Sequence, residues 1–425
     1  MTSGKKKPTL GYSILVLVTL IAFLAIGMAG FKIKLQVMMF LSWVLMGAFA
    51  VKLGISYNEL ENGAFDMLRK AMQALALMAA VGLLIGSWIA AGTVPTLIYA
   101  GLKVISPKFF LVTTLIFCSF VSLATGSSWG TMGTAGLATM GIGAGLGIPA
   151  GMTAGAVISG AYFGDKMSPL SDSTNLAAAV SGTDLFTHIK QMLYTTVPSY
   201  IISMIIFLIL GFKYGVDEMD YSQVSEITTS LNQLFNIGII PLIPALIVLG
   251  LLIKGKSPVL SILIGGIAGA VVAILYQGVD ISTAFGVLWG GYHGDFGSVF
   301  LNKLLNRGGI TGMLGVVALM IFALGLGGMV RVLGIMETIL EAIANKIKSV
   351  RSLVASTLIV SYISSIISGS MAFAAVMTAT LMGPLFEERK LKPENLSRII
   401  EDAGTLGAPL IPWSTNGIFT MSMLQ

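Results

Sequence analysis

Apolar runs of membrane-spanning length follow one another along almost the whole chain, and they constrain its fold more than any other feature. About 20 apolar residues cross a bilayer core. Runs of that kind are read at 10–30, 34–54, 72–101, 192–212, 237–253, 257–277, 311–330 and 352–368. Composition agrees, with 55% hydrophobic and 10% charged residues, where a soluble domain carries about 25% charge. The expected class is an all-α polytopic membrane protein. The run behind Lys5, Lys6 and Lys7 is too long for a signal-peptide core and is followed by further runs, so it is taken as the first membrane helix. Cys118, the single cysteine, excludes an internal disulfide framework and a cysteine-rich metal site. The formal charge of +6 does not point to nucleic acid, because the basic residues lie between apolar runs and not among aromatics.

Two stretches, 109–181 and 369–421, are apolar but interrupted by Gly, Ser and Pro. Each is read with its flank as a re-entrant helical hairpin, 109–148 and 352–384, followed by a broken transmembrane helix, 150–180 and 396–420. Charge asymmetry supports this path. With the N-terminus in the cytoplasm, most of the 25 Lys and Arg residues fall inside, and only Lys32, Lys34, Lys103, Lys108, Lys213, Lys303 and Arg307 fall outside, with Lys166 inside the membrane. Treating the hairpins as full crossings would export Arg389, Lys390 and Lys392. Residues 213–236, with Asp217, Glu218, Asp220 and Glu226, become an acidic external linker.

The chain also repeats itself. Thr125-Gly126-Ser127-Ser128 ends one apolar run and Ser368-Gly369-Ser370 another. Asp165, Pro169-Leu170 and Ser173-Thr174-Asn175 are followed in the same order by Asp402, Pro409-Leu410 and Ser414-Thr415-Asn416. An odd number of crossings in the first repeat gives the second the opposite orientation. The expected organisation is therefore two inverted-topology repeats, 1–212 and 237–425, joined by 213–236. The first holds scaffold helices within 10–101, hairpin 109–148, broken helix 150–180 and helix 192–212. In the second, a counterpart to 192–212 is expected to be missing. Such repeats are typical of secondary transporters, with sites where broken helices meet at mid-membrane.

The chemistry concentrates in two segments. Gly164-Asp165-Lys166-Met167-Ser168-Pro169-Leu170-Ser171-Asp172-Ser173-Thr174-Asn175 is polar between apolar flanks, and Pro169 interrupts the helical ladder. Unpaired backbone at membrane depth survives only inside protein or along a wet cavity. Carboxylate, hydroxyl, amide and carbonyl oxygens together suit a small hard cation. The partner segment runs from Glu401 to Asn416, interrupted by Pro409 and Pro412; for Glu401 and Asp402 a solvated helix start beside Arg398 is the competing reading. Expected ligands are Asp165, Ser168, Asp172, Ser173, Thr174 and Asn175 from the first segment, Ser127, Ser128 and Thr131 from the first hairpin tip, Ser370 from the second, and Asp402, Thr405, Ser414, Thr415 and Asn416. Asp165, Asp172 and Asp402 are expected to hold sodium transiently, with sodium and proton competing for one carboxylate, Asp165 first. Alternating access would carry the loaded site past a scaffold built from 10–54 and 237–277. Lys166 either holds the charge when the cation leaves or snorkels outward. His188 is expected at the interface, and His293 with Asp295 in a solvated loop.

From Ser159-Gly160-Ala161-Tyr162-Phe163 through Gly164 to Leu176, the sequence resembles the NhaC-type sodium/proton antiporter family of the ion-transporter superfamily. Thr187-His188-Ile189, Tyr194-Thr195-Thr196-Val197-Pro198-Ser199-Tyr200, Asn306-Arg307-Gly308-Gly309 and Ser414-Thr415-Asn416 extend the resemblance over nearly the whole chain. It implies coupled ion exchange through an elevator-like arrangement with two hairpins, in a bacterial or archaeal inner membrane. The family includes sodium-coupled malate/lactate exchangers, so exchange of a small carboxylate stays open beside sodium/proton antiport. No cofactor is expected beyond the transported sodium and protons. The expected partner is the lipid bilayer, and a homodimer is left open. An enzyme is not expected: the chain lacks His-Glu-x-x-His and Gly-x-Ser-x-Gly patterns and has two histidines.

Overall fold

The computed structural model describes residues 6–104, 106–214, 221–296, 301–302, 305–344, 347 and 349–424. Lys5, Lys303 and the linker acids Asp217, Glu218 and Asp220 lie outside the described residues. Every regular element described is helical. Among the described residues, eight helices are long and apolar enough to cross a membrane: Leu10–Gly30, Leu35–Leu53, Ala71–Ala90, Pro107–Thr125, Leu185–Tyr214, Pro258–Leu275, Gly309–Val332 and Val350–Ser368. The chain is a multi-span membrane protein. Ile201, Ile202, Ile205, Ile206 and Ile209 of the Leu185–Tyr214 helix are exposed, an outward face suited to lipid tails.

Two expected spans differ. The run 72–101 is divided: a helix beginning at Tyr57 ends at Ala90 and another starts at Thr93. Gly92 between them has φ +75, a left-handed turn that hydropathy does not register. The run 237–253 yields a short 3-10 turn, Ile240–Leu242, and an α-helix of 11 residues, Ile243–Ile253. Pro241 and Pro244 at these starts each remove a backbone donor.

The helices form two compact units, each drawing on both halves of the chain. One comprises the chain up to Leu75, Ser173–Gln191 and Gly315–Phe419; the other comprises Ala76–Asp172, Met192–Leu314 and the chain from Thr420.

The second of these units contains the helix Pro107–Thr125, started by Pro at its first turn and ended by Gly126 at φ +67. Ser127 then caps a new helical start, its Oγ accepting from the Gly130 N–H at 3.0 Å. The chain continues through a π-helix, Met132–Gly136, and an α-helix, Leu137–Gly145. It turns again and runs as Ala150–Met167 directly against Pro107–Thr125. Glycine lets these two helices approach backbone to backbone. A Cβ on Gly160 would collide with the Leu115 carbonyl, and one on Gly164 with Leu123 N and the Ser119 carbonyl. Ser122 Oγ donates across the contact to the Ala161 carbonyl at 2.5 Å.

The other unit holds a helix–turn–helix built the same way. Val350–Ser368 is 19 residues long, as is Pro107–Thr125, and opens on a reciprocal Ser349–Ser352 capping box. It ends at Gly369, φ +64, and Ser370 caps Met371–Glu388 by accepting from the Phe373 N–H. Pro393–Ile399 follows and passes into a π-helix, Ile400–Thr405, which packs against both Val350–Ser368 and Met371–Glu388. Leu353, Val360, Ala375, Ala379, Met382 and Phe386 form much of the apolar core here.

Candidate functional site: a buried carboxylate at a broken helix

Asp165 sits in the last turn of Ala150–Met167, three residues before the helix stops at Ser168. From Ser168 to Ser171 the backbone is not helical, and Asp172–Ser181 resumes. Pro169 cannot donate to the ladder, which is why the interruption falls there. The loose turn is held by its own hydroxyl. Ser168 Oγ donates to the Leu123 carbonyl at 2.8 Å and accepts from the Leu170 N–H at 3.3 Å. The turn that follows Pro107–Thr125 has its tip directly on the break: a Cβ on Gly126 would stand 2.7 Å from the carbonyl carbon of Leu170.

Asp165 is 5% exposed. A carboxylate withdrawn from water needs polar partners, and it has them. Ser128 Oγ, at the tip, donates to Asp165 Oδ2 at 2.5 Å, and the Ser171 hydroxyl bonds it from the break. Asp172 is near enough to act on it electrostatically. Ser127 and Thr131 complete the tip, Thr131 Oγ1 donating to the Ser127 carbonyl at 2.9 Å. Asp165, Ser168, Ser127, Ser128 and Thr131 thus fall in one compact unit, around one helix break.

The other unit repeats the construction without a carboxylate at the same point. The π-helix ends at Thr405, a 3-10 turn Ala408–Leu410 follows, and the helix resumes at Thr415. The Gly369–Ser370 turn is tied to this break. The Thr415 N–H donates to the Gly369 carbonyl at 2.9 Å, and Trp413 Nε1 to the Ile366 carbonyl at 2.7 Å. Ser414 Oγ donates to the Ala408 carbonyl at 2.6 Å and accepts from the Gly417 N–H at 2.9 Å. Thr405, Ser414, Thr415 and Asn416 are all buried.

Residues 160–425 match the Na+/H+ antiporter family. The chain belongs to that family. Among its relatives is a malate-2H+/Na+-lactate antiporter of Bacillus subtilis, 42% identical over 98% of this chain and 89% of that one. The Na+/H+ antiporter NhaC of Alkalihalophilus pseudofirmus is 36% identical over 99% of this chain and 91% of the relative. NhaC of Bacillus subtilis is 34% identical over 91% and 85%.

Other expected site residues of this antiporter-family chain distribute less simply. Asp172 is exposed and ends one unit, whereas Ser173, Thr174 and Asn175 belong to the other, with Ser173 and Thr174 buried and Asn175 exposed. Asp402 is half-buried and Ser370 likewise. His293 and Asp295 lie in an exposed loop held by asparagines, the Asp295 carboxylate accepting from Asn302 Nδ2 at 3.3 Å. Gly308, in the Asn306–Gly309 run, packs on the Gly86 backbone.

Two expectations and one competing reading change. Lys166 does not snorkel: it is fully buried. His188 is buried too, its Nδ1 sharing a hydrogen bond of 2.7 Å with Ser397 Oγ. Glu401 is no solvated helix start; it is 0% exposed, and the inward carboxylate of the Glu401–Asp402 pair is the one left out of the expected ligand set. The signal for it was the helical spacing of Ser397, Glu401, Thr405 and Ala408, a small and polar stripe in which Glu401 is the one large member.

Proposed function

We propose that this chain is a secondary active transporter that exchanges sodium for protons, with Asp165 as the carboxylate for which the two ions compete. The observation that carries the reading is the setting of Asp165: a nearly inaccessible acid, bonded by Ser128 and Ser171, at an interrupted helix touched by a hairpin tip. Burial disfavours an ion, and a bound sodium ion offsets that penalty. Sodium therefore displaces the proton, and the proton displaces sodium. No separate wire is needed to couple them. Ser127, Ser128, Thr131 and Ser168 supply oxygen in the same unit. Ser370, Asp402, Thr405, Ser414, Thr415 and Asn416, with Ser173, Thr174 and Asn175, supply it in the other. Asp172 stands by as a second acid, and no resident cofactor is required.

In this reading the two helix–turn–helix elements are re-entrant hairpins and the helices after them broken membrane helices, related as inverted repeats. The protein resides in a prokaryotic inner membrane with its N-terminus in the cytoplasm. Sodium-gradient-driven proton movement in proteoliposomes tests the function. Asp165→Asn keeps size but cannot exchange a proton, and should abolish it while the protein still inserts. Near-native exchange in that variant would move the role to Asp172 or Asp402, and full activity in all three Asn variants would end the shared-carboxylate idea. A second reading, exchange of a small dicarboxylate or hydroxyacid with the same ions, is supported by the malate/lactate relative. Malate or lactate uptake driven by the same gradients would establish it; its absence, with sodium/proton exchange intact, would set it aside.

A further inference from the structure

Glu401 has no role in the mechanism above, yet its surroundings are built for an ion. The π-helix that carries it is a rarer form than the α-helix and recurs at functional sites. Two helices pack against it: Val350–Ser368, which carries buried Ser361, Ser364 and Ser365, and Met371–Glu388, which carries buried Thr378. All four are 0% exposed, and their hydroxyls have no hydrogen-bond partner among the described residues. Partners are within easy reach, since a helical Ser or Thr ordinarily donates to the carbonyl four residues back. Thr357 and Ser368 on the same helix do so, to Leu353 at 2.7 Å and to Ser364 at 2.6 Å. The three serines between them do not. Ser361 Oγ instead faces the π-helix, where a Cβ on Gly404 would lie 2.9 Å from it. Gly404 is one turn beyond Glu401, and the missing side chain leaves the hydroxyl room.

Buried hydroxyls without a partner, on helices packed against the one that carries a buried carboxylate, cost stability unless something uses them. Hard oxygen donors with one negative charge match a small monovalent cation. We propose that Glu401, with the hydroxyls of Ser361, Ser365 and Thr378, is a second cation site, binding sodium in addition to the ion at Asp165. The site deepens the exchange reading and rests on it for the identity of the ion. Two carboxylates make the ion count per cycle larger than one site allows.

Equilibrium binding of radioactive sodium to the detergent-purified full chain tests this. Wild type should bind two sodium ions, and Glu401→Gln and Asp165→Asn one each. Ser361→Ala should keep both sites and weaken one by about tenfold, the equivalent of roughly 1.4 kcal/mol. This second variant preserves the test if Glu401→Gln does not fold. An unchanged isotherm in Glu401→Gln, or in a monodisperse Ser361→Ala, overturns the proposal. A single wild-type site lost only in Asp165→Asn overturns the second site and leaves the exchange reading intact. A single site lost only in Glu401→Gln supports the Glu401 site and removes Asp165 from its role. Absence of sodium binding in wild type overturns both.

Discussion

At Asp165 one hydroxyl makes a short, charge-assisted bond, and such bonds contribute about 1.5–3 kcal/mol. Ser128→Ala removes the donor 2.5 Å from Oδ2, so the sodium half-saturation of exchange should rise by about tenfold or more. A titration unchanged from wild type would show that Ser128 does not hold the ion-binding form. Outside the membrane spans, Glu337 borders a cavity of about 290 Å³ with Asp66 and Arg331. Burial raises its carboxyl above the usual range, more than the Arg331 charge lowers it. The folded protein therefore binds this proton more tightly than the unfolded chain, and the associated stability is lost as pH rises through the folded-state value. Glu337→Gln stays neutral throughout. Its melting temperature should gain on wild type as pH rises above the ordinary glutamate range, and a constant difference would contradict the sign. Residue legibility was uneven. Asp165 stood out because Pro169 and a run of hydroxyls follow it in an apolar stretch. Glu401 did not, because Asp402 and Arg398 beside it read as solvent-facing, and adjacent residues on a helix diverge by about 100°.

At the scale of elements, the helix breaks were the readable part. Pro169, Pro409 and Pro412 mark them, and proline acts locally. The division of 72–101 was hidden, because one left-handed glycine outweighs a run of apolar residues without altering its hydropathy. The π-helix was hidden as well: an extra residue in a turn leaves no compositional trace. The paired tips invite a direct comparison. Gly126 and Gly369 share a left-handed backbone, which costs a side chain roughly 1–2 kcal/mol. At Gly126 the Leu170 backbone stands 2.7 Å from a new Cβ, whereas at Gly369 the nearest atom is 3.3 Å away. Both Ala variants should melt lower than wild type in detergent, Gly126→Ala by clearly more. Equal losses would mean that contact with the break contributes nothing.

For the whole molecule, the multi-span class followed from apolar run lengths, but the partition into units did not. Each unit takes segments from both halves, and tertiary contacts of that range leave no mark on local pattern. Orientation can be tested with little engineering, since Cys118 is fully buried and gives a quiet background. A cysteine at exposed Lys34 should react with an impermeant maleimide in intact cells, and one at exposed Lys52 only after permeabilisation. The reverse pattern would invert the topology. The glycine-lined seam between Pro107–Thr125 and Ala150–Met167 has a mechanical consequence. With Gly160 and Gly164 seated on the opposite backbone and Ser122 and Ser168 stitched across it, neither rod has clearance to slide past the other. Any stroke that displaces Asp165 must tow its neighbour, a strut of 19 residues and roughly 28 Å. If Asp165 carries the ion as proposed, the smallest part of the backbone that can move with it is this pair of helices.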